Sequence, residues 1–164
     1  QGFFPGSEEE RIEILSMAID AKVAWVDLEL NIPQKQRKEL AEKANENGVK
    51  VIASEHNHDG MPSDQDIIQL VEENQSKGDI VKFCGQCTNH HDALQVVNAA
   101  WDLKNKELNY SIMGLSSGGD WARLHAPLFN QNMVFATMQN EFRLSDKGLI
   151  NVRDLREAWT LLEY

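Results

Sequence analysis

The stretch that decides the fold is Gly78-Asp79-Ile80-Val81-Lys82-Phe83-Cys84-Gly85, a short apolar run between two glycines. Such a run is typical of a buried β-strand, yet Lys82 stands in its middle. Burying a charged amine is costly, so a protein that keeps a lysine there often uses the neutral amine, which attacks carbonyl carbons and forms Schiff bases. The alternative is an edge-strand lysine whose stem lies on apolar surface while its head reaches water. The strand alone leaves both interpretations open.

Strand-like and helix-like segments alternate on both sides of this stretch. Strands are predicted at residues 24–30, 49–54, 79–84, 108–113 and 133–138, and helices at 34–47, 64–76, 90–103, 120–128 and 152–164. Ser7 and Glu10 form a capping box that opens a further helix before the first strand. Alternating strands and helices indicate a parallel sheet covered by helices. The fold class is therefore α/β, either an open doubly wound sheet or part of a TIM (β/α)8 barrel.

The length of the chain limits the second architecture. A complete barrel needs roughly 250 residues, and this chain has 164. If it is a barrel, we expect parallel βα units with only the five C-terminal strands, because the chain offers five strand segments. No linker, low-complexity stretch or change in composition divides the sequence, so residues 1–164 are expected to form a single partial barrel domain.

Composition excludes several classes of partner. The chain has 16 basic and 26 acidic residues, for a formal net charge of -10, which argues against binding to nucleic acid or to anionic membrane surfaces. No apolar run approaches the roughly 20 residues of a membrane span. The two cysteines do not make a disulfide framework, so a cytoplasmic, reducing location is expected.

Titratable side chains collect where the predicted strands end, which is where ligands bind in parallel α/β proteins. His56 ends one strand, and Lys82 lies in the next strand along the chain. Neighbouring parallel strands lie about 5 Å apart, so the amine and the imidazole converge if their faces coincide. This pair would combine a Schiff-base nucleophile with a general acid–base group. Taken alone, His56 is more often a loop histidine that caps a backbone group or faces water.

Two other patterns suggest different chemistry. The chain has four histidines near strand ends that could ligate a metal, although barrel hydrolases of that kind also need a lysine and a carboxylate at fixed places: His56, His58, His90 and His91. Cys84-Gly85-Gln86-Cys87 has the spacing of a thioredoxin-like redox motif. The surrounding pattern has too many parallel βα units for that fold and no suitably placed proline. We therefore expect two ordinary reduced thiols and no metal site.

Three further charged side chains have two interpretations each. Asp27 and Glu29 share one strand face, either as acid–base groups or, preferably, as support that fixes a neighbouring side chain by hydrogen bonds. Arg123 lies one turn into a predicted helix and could make a bidentate contact with a substrate carboxylate. The alternative for Arg123 is a surface ion pair.

These residues together resemble those of the type I 3-dehydroquinate dehydratases, the Schiff-base dehydroquinases of the shikimate pathway. Five ordered segments carry the resemblance over nearly the whole chain: residues 26–30, 54–58 with Pro62, 78–82, 113–129 and 152–156. They are similar to the family's fourth barrel strand, the strand end that bears its histidine, the segment of its imine lysine, its seventh strand with the following helix, and its last helix.

The resemblance implies a lyase that dehydrates 3-dehydroquinate to 3-dehydroshikimate without a metal or organic cofactor. Lys82 would form the imine with the ketone, and His56 would take and return the proton. An arginine would hold the substrate carboxylate, and the residues with implied substrate contacts are Arg123, Glu29, Met113 and Ser145. The expected partner is this small molecule, and a homodimer is a possible assembly.

The sequence departs from the family pattern at several places. The family's first three strands, which bear a glutamate and two arginines of the site, have no counterpart here. Leu149 stands where the family has a lid glutamine, and His58 replaces the usual aromatic residue. Two alternatives therefore stay open: a non-catalytic, diverged barrel fragment that assembles with a second chain, and a thiol redox protein that uses Cys84 and Cys87.

Overall fold

A computed structural model describes residues 4–116, 118–138 and 148–164. The strands are β1 (Trp25–Glu29), β2 (Lys50–Asn57), β3 (Ile80–Cys87) and β4 (Tyr110–Ser116). The helices are α1 (Glu8–Asp20), α2 (Gln34–Glu46), α3 (Asp64–Glu73), α4 (His90–Leu103), α5 (Asp120–Leu124) and α6 (Val152–Leu161), with a 3₁₀ turn at Gln75–Lys77. None of the helices in the described ranges combines the length and apolar character that crossing a bilayer demands.

The four strands form one parallel sheet in the order β1-β2-β3-β4. In its register, Ser54 on β2 lies between Glu29 on β1 and Lys82 on β3. Lys82 in turn pairs with Ser111 on β4. The sequence prediction of parallel βα units is therefore confirmed, and the strands that carry the titratable residues are direct neighbours.

Side-chain caps determine where several helices begin. The Ser7 hydroxyl accepts from the Glu10 amide while the Glu10 carboxylate accepts from the Ser7 amide, so the predicted capping box is confirmed. Ser63 and Asp66 make the same reciprocal pair at the start of α3. Asn151 accepts from the amide of Asp154 at the start of α6. These bonds satisfy amides that have no partner within the first helical turn.

Alternate strand residues point to opposite faces of the sheet. On the outer face, Val26 and Leu28 pack with α1 and α2, while Val81, Phe83 and Ile112 pack with α3 and α4. The inner face has the opposite character, since it carries Asp27, Glu29, Ser54, His56, Lys82, Cys84 and Met113. The helices therefore cover the apolar side, and the polar side is left for a site.

The prediction of a fifth strand at residues 133–138 is wrong, because the described residues form no strand there. Only an isolated bridge forms there, between Thr137 and Asn151. The reason lies in the partners of its carbonyl groups, since Met133 O accepts from the Ser111 hydroxyl and Phe135 O accepts from Arg123. Side-chain donors thus bind the carbonyl groups that a neighbouring strand would otherwise bind. The backbone has hydrogen-bond partners here without forming a strand. The helix predicted over residues 120–128 is shorter in the structure, where α5 ends at residue 124.

Candidate active site

Lys82 lies in β3 with its amine on the inner face of the sheet. The residue is 6% exposed, and its Nζ donates to Asp27 Oδ2 at 2.9 Å. The other oxygen of Asp27 accepts a hydrogen bond from the Ser54 hydroxyl. The edge-strand interpretation of Lys82 is therefore wrong, because the amine is buried and paired with a carboxylate. Asp27 has the supporting role that its position predicts.

His56 lies near the end of β2, on the same face as Ser54, with a side chain that is 7% exposed. Its Nδ1 is 3.2 Å from Glu29 Oε1, although the two groups are not aligned as a hydrogen bond. Glu29 also accepts from Arg11 Nη1 at 3.1 Å. A negative charge beside Nδ1 favours the tautomer with its proton there, which leaves Nε2 as the basic nitrogen. The interpretation of His56 as a loop histidine facing water is wrong.

The pKa of His56 is lowered to about 4, chiefly by burial and next by the positive charge of Lys82. The carboxylates of Glu29 and Asp27 act in the opposite direction without cancelling these effects. The imidazole is therefore neutral at pH 7, the state in which a histidine can accept a proton.

The amine and the imidazole face a cavity of about 740 Å³. Its size is in the range of small-molecule sites, which span roughly 300–1,000 Å³. Phe135 lies over the amine, with the ring centroid 4.4 Å from Lys82 Nζ. The cavity is also lined by Phe4, which precedes α1, and by Leu149, which lies near the start of the last described range. Side chains from both ends of the chain thus enclose the same space.

Arg123 is 2% exposed and forms part of the cavity wall. Its Nε donates to Phe135 O at 3.1 Å, and its Nη1 donates to Gly114 O at 2.7 Å and also to Gly119 O. Burial lowers the pKa of this guanidinium from its ordinary value. The interpretation as a surface ion pair is wrong, because the side chain is buried and bonded to carbonyl groups. These bonds fix a cation beside the cavity.

The remaining predicted site residues have different outcomes. Glu29 and Met113 line the cavity, so the structure brings them together with Lys82, His56 and Arg123. Ser145 lies outside the described residues.

The redox and metal patterns do not form compact sites. Cys84 lines the cavity, whereas Cys87, three residues along the strand, is on the opposite face against Gly114. Burial raises the pKa of both thiols, that of Cys87 to about 11, which disfavours the reactive thiolate. His90 stacks on Trp121 at a centroid distance of 5.2 Å. In the ranges that the structure describes, no three His, Cys, Asp or Glu side chains are grouped for a metal ion.

Sequence reasoning did not find every residue of the site. Arg11 supports Glu29 from α1, and Phe135 covers the amine. Gln86 also lines the cavity. The only signal for Gln86 was the strand alternation that puts it on the same face as Lys82, while Arg11 and Phe135 come from segments whose placement depends on the whole fold.

The helices cover the outer face of this parallel sheet, and a cavity lined by ionisable side chains lies on its inner face. This is the architecture of the α/β enzymes. Comparison with known families is specific: the model of the type I 3-dehydroquinase family matches residues 1–164. The chain therefore belongs to the type I 3-dehydroquinase family.

Two curated archaeal relatives are named 3-dehydroquinate dehydratase. That of Methanocaldococcus jannaschii is 27% identical over 99% of this chain and 71% of the relative. That of Methanococcus maripaludis strain C5 is 32% identical over 99% of this chain and 72% of the relative. The named activity is that of a lyase in the shikimate pathway.

Solved structures identify the fold. The type I 3-dehydroquinate dehydratase of Clostridium difficile, solved with covalently modified comenic acid, has a TM-score of 0.84 at 22% identity and matches 96% of this chain. The 3-dehydroquinate dehydratase of Geobacillus kaustophilus has a TM-score of 0.84 at 21% identity and matches 98%. The chain spans 62% of the length of each. The fold class expected from the sequence, βα units of a β/α barrel, is confirmed, with four strands in place of five among the described residues.

Proposed function

We propose that this protein dehydrates 3-dehydroquinate to 3-dehydroshikimate through a Schiff base on Lys82. The observation that carries the proposal is the buried amine at a cavity that it shares with a neutral histidine. The family membership supports the substrate and the reaction. The cavity is lined from Phe4 to Leu149, which supports one domain over residues 1–164.

The chemistry begins at the ketone carbon of the substrate. Lys82 gives up one proton and attacks this carbon as the free amine, and a C–N bond forms. The carbonyl oxygen then leaves as water with that proton and one further proton from the nitrogen, which gives an iminium ion. The positive nitrogen withdraws electrons, which makes the adjacent C–H acidic. His56 takes that proton, and the electron pair of the C–H bond moves to the nitrogen to give a neutral enamine.

The second half of the reaction runs in the reverse electronic sense. The enamine electron pair moves back toward the ring and expels the hydroxyl group, which leaves as water with the proton from His56. One water then hydrolyses the iminium ion, which releases 3-dehydroshikimate and restores the amine of Lys82. One water is consumed and two are produced, so the net change is the loss of one water. In this proposal no metal or organic cofactor is needed.

The other site residues orient His56 or contact the substrate in the proposal. Glu29, held by Arg11, keeps the His56 ring in the tautomer whose Nε2 is the base. Arg123 provides the positive charge for the substrate carboxylate. Met113 packs against the substrate ring. Ser145, which is not among the described residues, is proposed to contact the substrate. A cytoplasmic location and a homodimer are further parts of the proposal.

The thiol redox alternative receives no support from this geometry, because Cys84 and Cys87 lie on opposite faces of β3. The fragment alternative is tested together with the main proposal. Incubation with 3-dehydroquinate, reduction with borohydride and peptide mapping by mass spectrometry should give a reduced adduct on Lys82 and none in Lys82→Met. His56→Gln should still be trapped but should not turn over. A folded wild-type protein without an adduct on Lys82 would refute the Schiff-base proposal.

A further inference from the structure

Gln86 and Ser116 form a polar pair on an otherwise apolar part of the cavity wall. The Gln86 Nε2 donates to the Ser116 hydroxyl at 2.7 Å and to Cys87 O at 3.2 Å. Both side chains line the cavity, beside Leu115 and Leu149. Neither residue has a role in the reaction described above.

The hydrogen bonds of this pair determine what it offers to a ligand. A backbone carbonyl only accepts hydrogen bonds, so the bond to Cys87 O identifies the amide nitrogen of Gln86. Its second N–H goes to Ser116, whose oxygen is thereby an acceptor. In the part of the chain that the structure describes, no group donates to Gln86 Oε1 and none accepts the Ser116 hydroxyl proton. The pair therefore presents one acceptor and one donor, which is the complement of a hydroxyl group.

The backbone of Ser116 is a second, independent observation. Strand alternation would turn Ser116 to the outer face with Cys87, its partner in the sheet register. Its φ of 64° instead lies in the left-handed region, which is unfavourable for serine and recurs at functional sites. The Gly119 amide donates to Ser116 O at 2.9 Å and holds this conformation. The strained backbone brings the hydroxyl to the cavity.

The position of the pair relative to the amine suits a ring substrate. Gln86 is four residues beyond Lys82 on β3 and on the same face, with only the small Cys84 between them. Four residues of a strand span about 13 Å, and the two side chains point into the same cavity. A six-membered ring bound at the amine through its ketone would therefore occupy the same cavity as the Gln86 amide.

We propose that Gln86 and Ser116 bind a ring hydroxyl of the substrate and thereby select polyhydroxylated cyclic ketones over plain ones. This inference rests on the proposed imine at Lys82. The discriminating probes are 3-dehydroquinate and 3-oxocyclohexanecarboxylate, which has the ketone and the carboxylate but no ring hydroxyl. For each probe, the concentration that gives half-maximal borohydride-trapped adduct on Lys82 is measured.

The wild-type protein should require a lower concentration of 3-dehydroquinate than of the plain keto acid. Gln86→Leu should raise the half-saturating concentration of 3-dehydroquinate about tenfold, the loss of one good hydrogen bond, and leave that of the plain keto acid unchanged. Ser116→Gly should do the same, and because glycine tolerates the positive φ it should not lower stability.

An equal effect on both probes, or no effect on either, would overturn the inference, because a packing role does not distinguish ring hydroxyls. A wild-type protein that traps neither probe would instead refute the imine at Lys82, and with it this inference. The two failures are therefore distinguishable.

Discussion

The change Asp27→Asn should destabilise the fold because it removes the negative charge that pairs with the buried amine of Lys82. The Lys82 side chain is 7% exposed, whereas that of Asp27 is 35% exposed. At the observed 2.9 Å separation, two unit charges attract by about 6 kcal/mol if the effective dielectric constant is about 20. Much of this attraction offsets the desolvation of the ammonium group, so the measured effect is smaller.

The expected loss is about 3 kcal/mol, the lower end of the roughly 3–5 kcal/mol observed when one partner of a buried pair is removed. The lower end applies because Asp27 is partly exposed and because asparagine retains an oxygen that can accept from Ser54 or Lys82. Urea unfolding followed by circular dichroism, with the slope compared between variants, measures the difference.

Two comparisons isolate the charge effect. Glu72→Gln makes the same carboxylate-to-amide change in the ion pair with Lys106, whose side chains are 45% and 40% exposed, and should cost about 0–1 kcal/mol. In a Lys82→Met background the same Asp27→Asn change should cost about 1 kcal/mol or less, since no buried ammonium group remains. The reasoning is refuted if Asp27→Asn costs no more than Glu72→Gln, or costs the same in both backgrounds.

Three further predictions follow from the same structure. The pKa of His56 is lowered to about 4 in the folded protein, whereas that of an unfolded histidine is about 6.5. The neutral imidazole therefore contributes fully to stability above about pH 6.5, and this contribution is lost as the pH falls through the folded-state pKa. The wild-type protein should therefore lose at most about 3 kcal/mol relative to His56→Gln between these limits, measured by urea unfolding at each pH; a parallel pH profile of the two proteins would contradict this. Gly119→Ala should lower the free energy of unfolding by about 1–3 kcal/mol, because its Cβ would lie 2.5 Å from a backbone oxygen, whereas Gly60→Ala, with nothing within 4 Å, is the matched control. Cys84 and Cys87 are buried, so mass spectrometry should find them alkylated by iodoacetamide only on unfolding, and rapid labelling of the native protein would contradict their burial.

Much of the fold could be predicted because local signals agree with it. The helix over residues 90–103 has the predicted bounds, since an asparagine caps its start and an apolar face follows. The strand predicted at 79–84 extends further, to Cys87, because its pairing with β4 continues there. Strand ends depend on such pairing, which a single sequence does not contain.

The segment at 133–138 shows the limit of pattern reasoning more clearly. Its apolar character is that of a strand, but hydrogen bonds to a neighbour decide whether a strand forms. Ser111 and Arg123 bind two of its carbonyl groups with their side chains. Those contacts come from distant parts of the chain, so periodicity could not reveal them.

The convergence of Lys82 and His56 could be predicted, because alternation gives the face of each residue and parallel strands share an end. The contact between Lys82 and Asp27 could not, since it joins β1 and β3 across β2. Such strands are about 10 Å apart, and a long side chain spans this distance only over a small residue. Ser54 is that residue, and it also binds Asp27.

The coupling between Lys82 and His56 gives the proposed mechanism an internal consistency. A positive charge on the lysine nitrogen lowers the pKa of His56, so the imidazole is neutral while the nitrogen is an ammonium or iminium ion. When His56 takes the substrate proton, the nitrogen becomes part of a neutral enamine and that repulsion disappears, which stabilises the imidazolium ion. When the hydroxyl group leaves, the iminium ion forms again and the repulsion favours return of the proton. Because both groups are buried, water screens this exchange little, and the site carries one positive charge throughout the two steps.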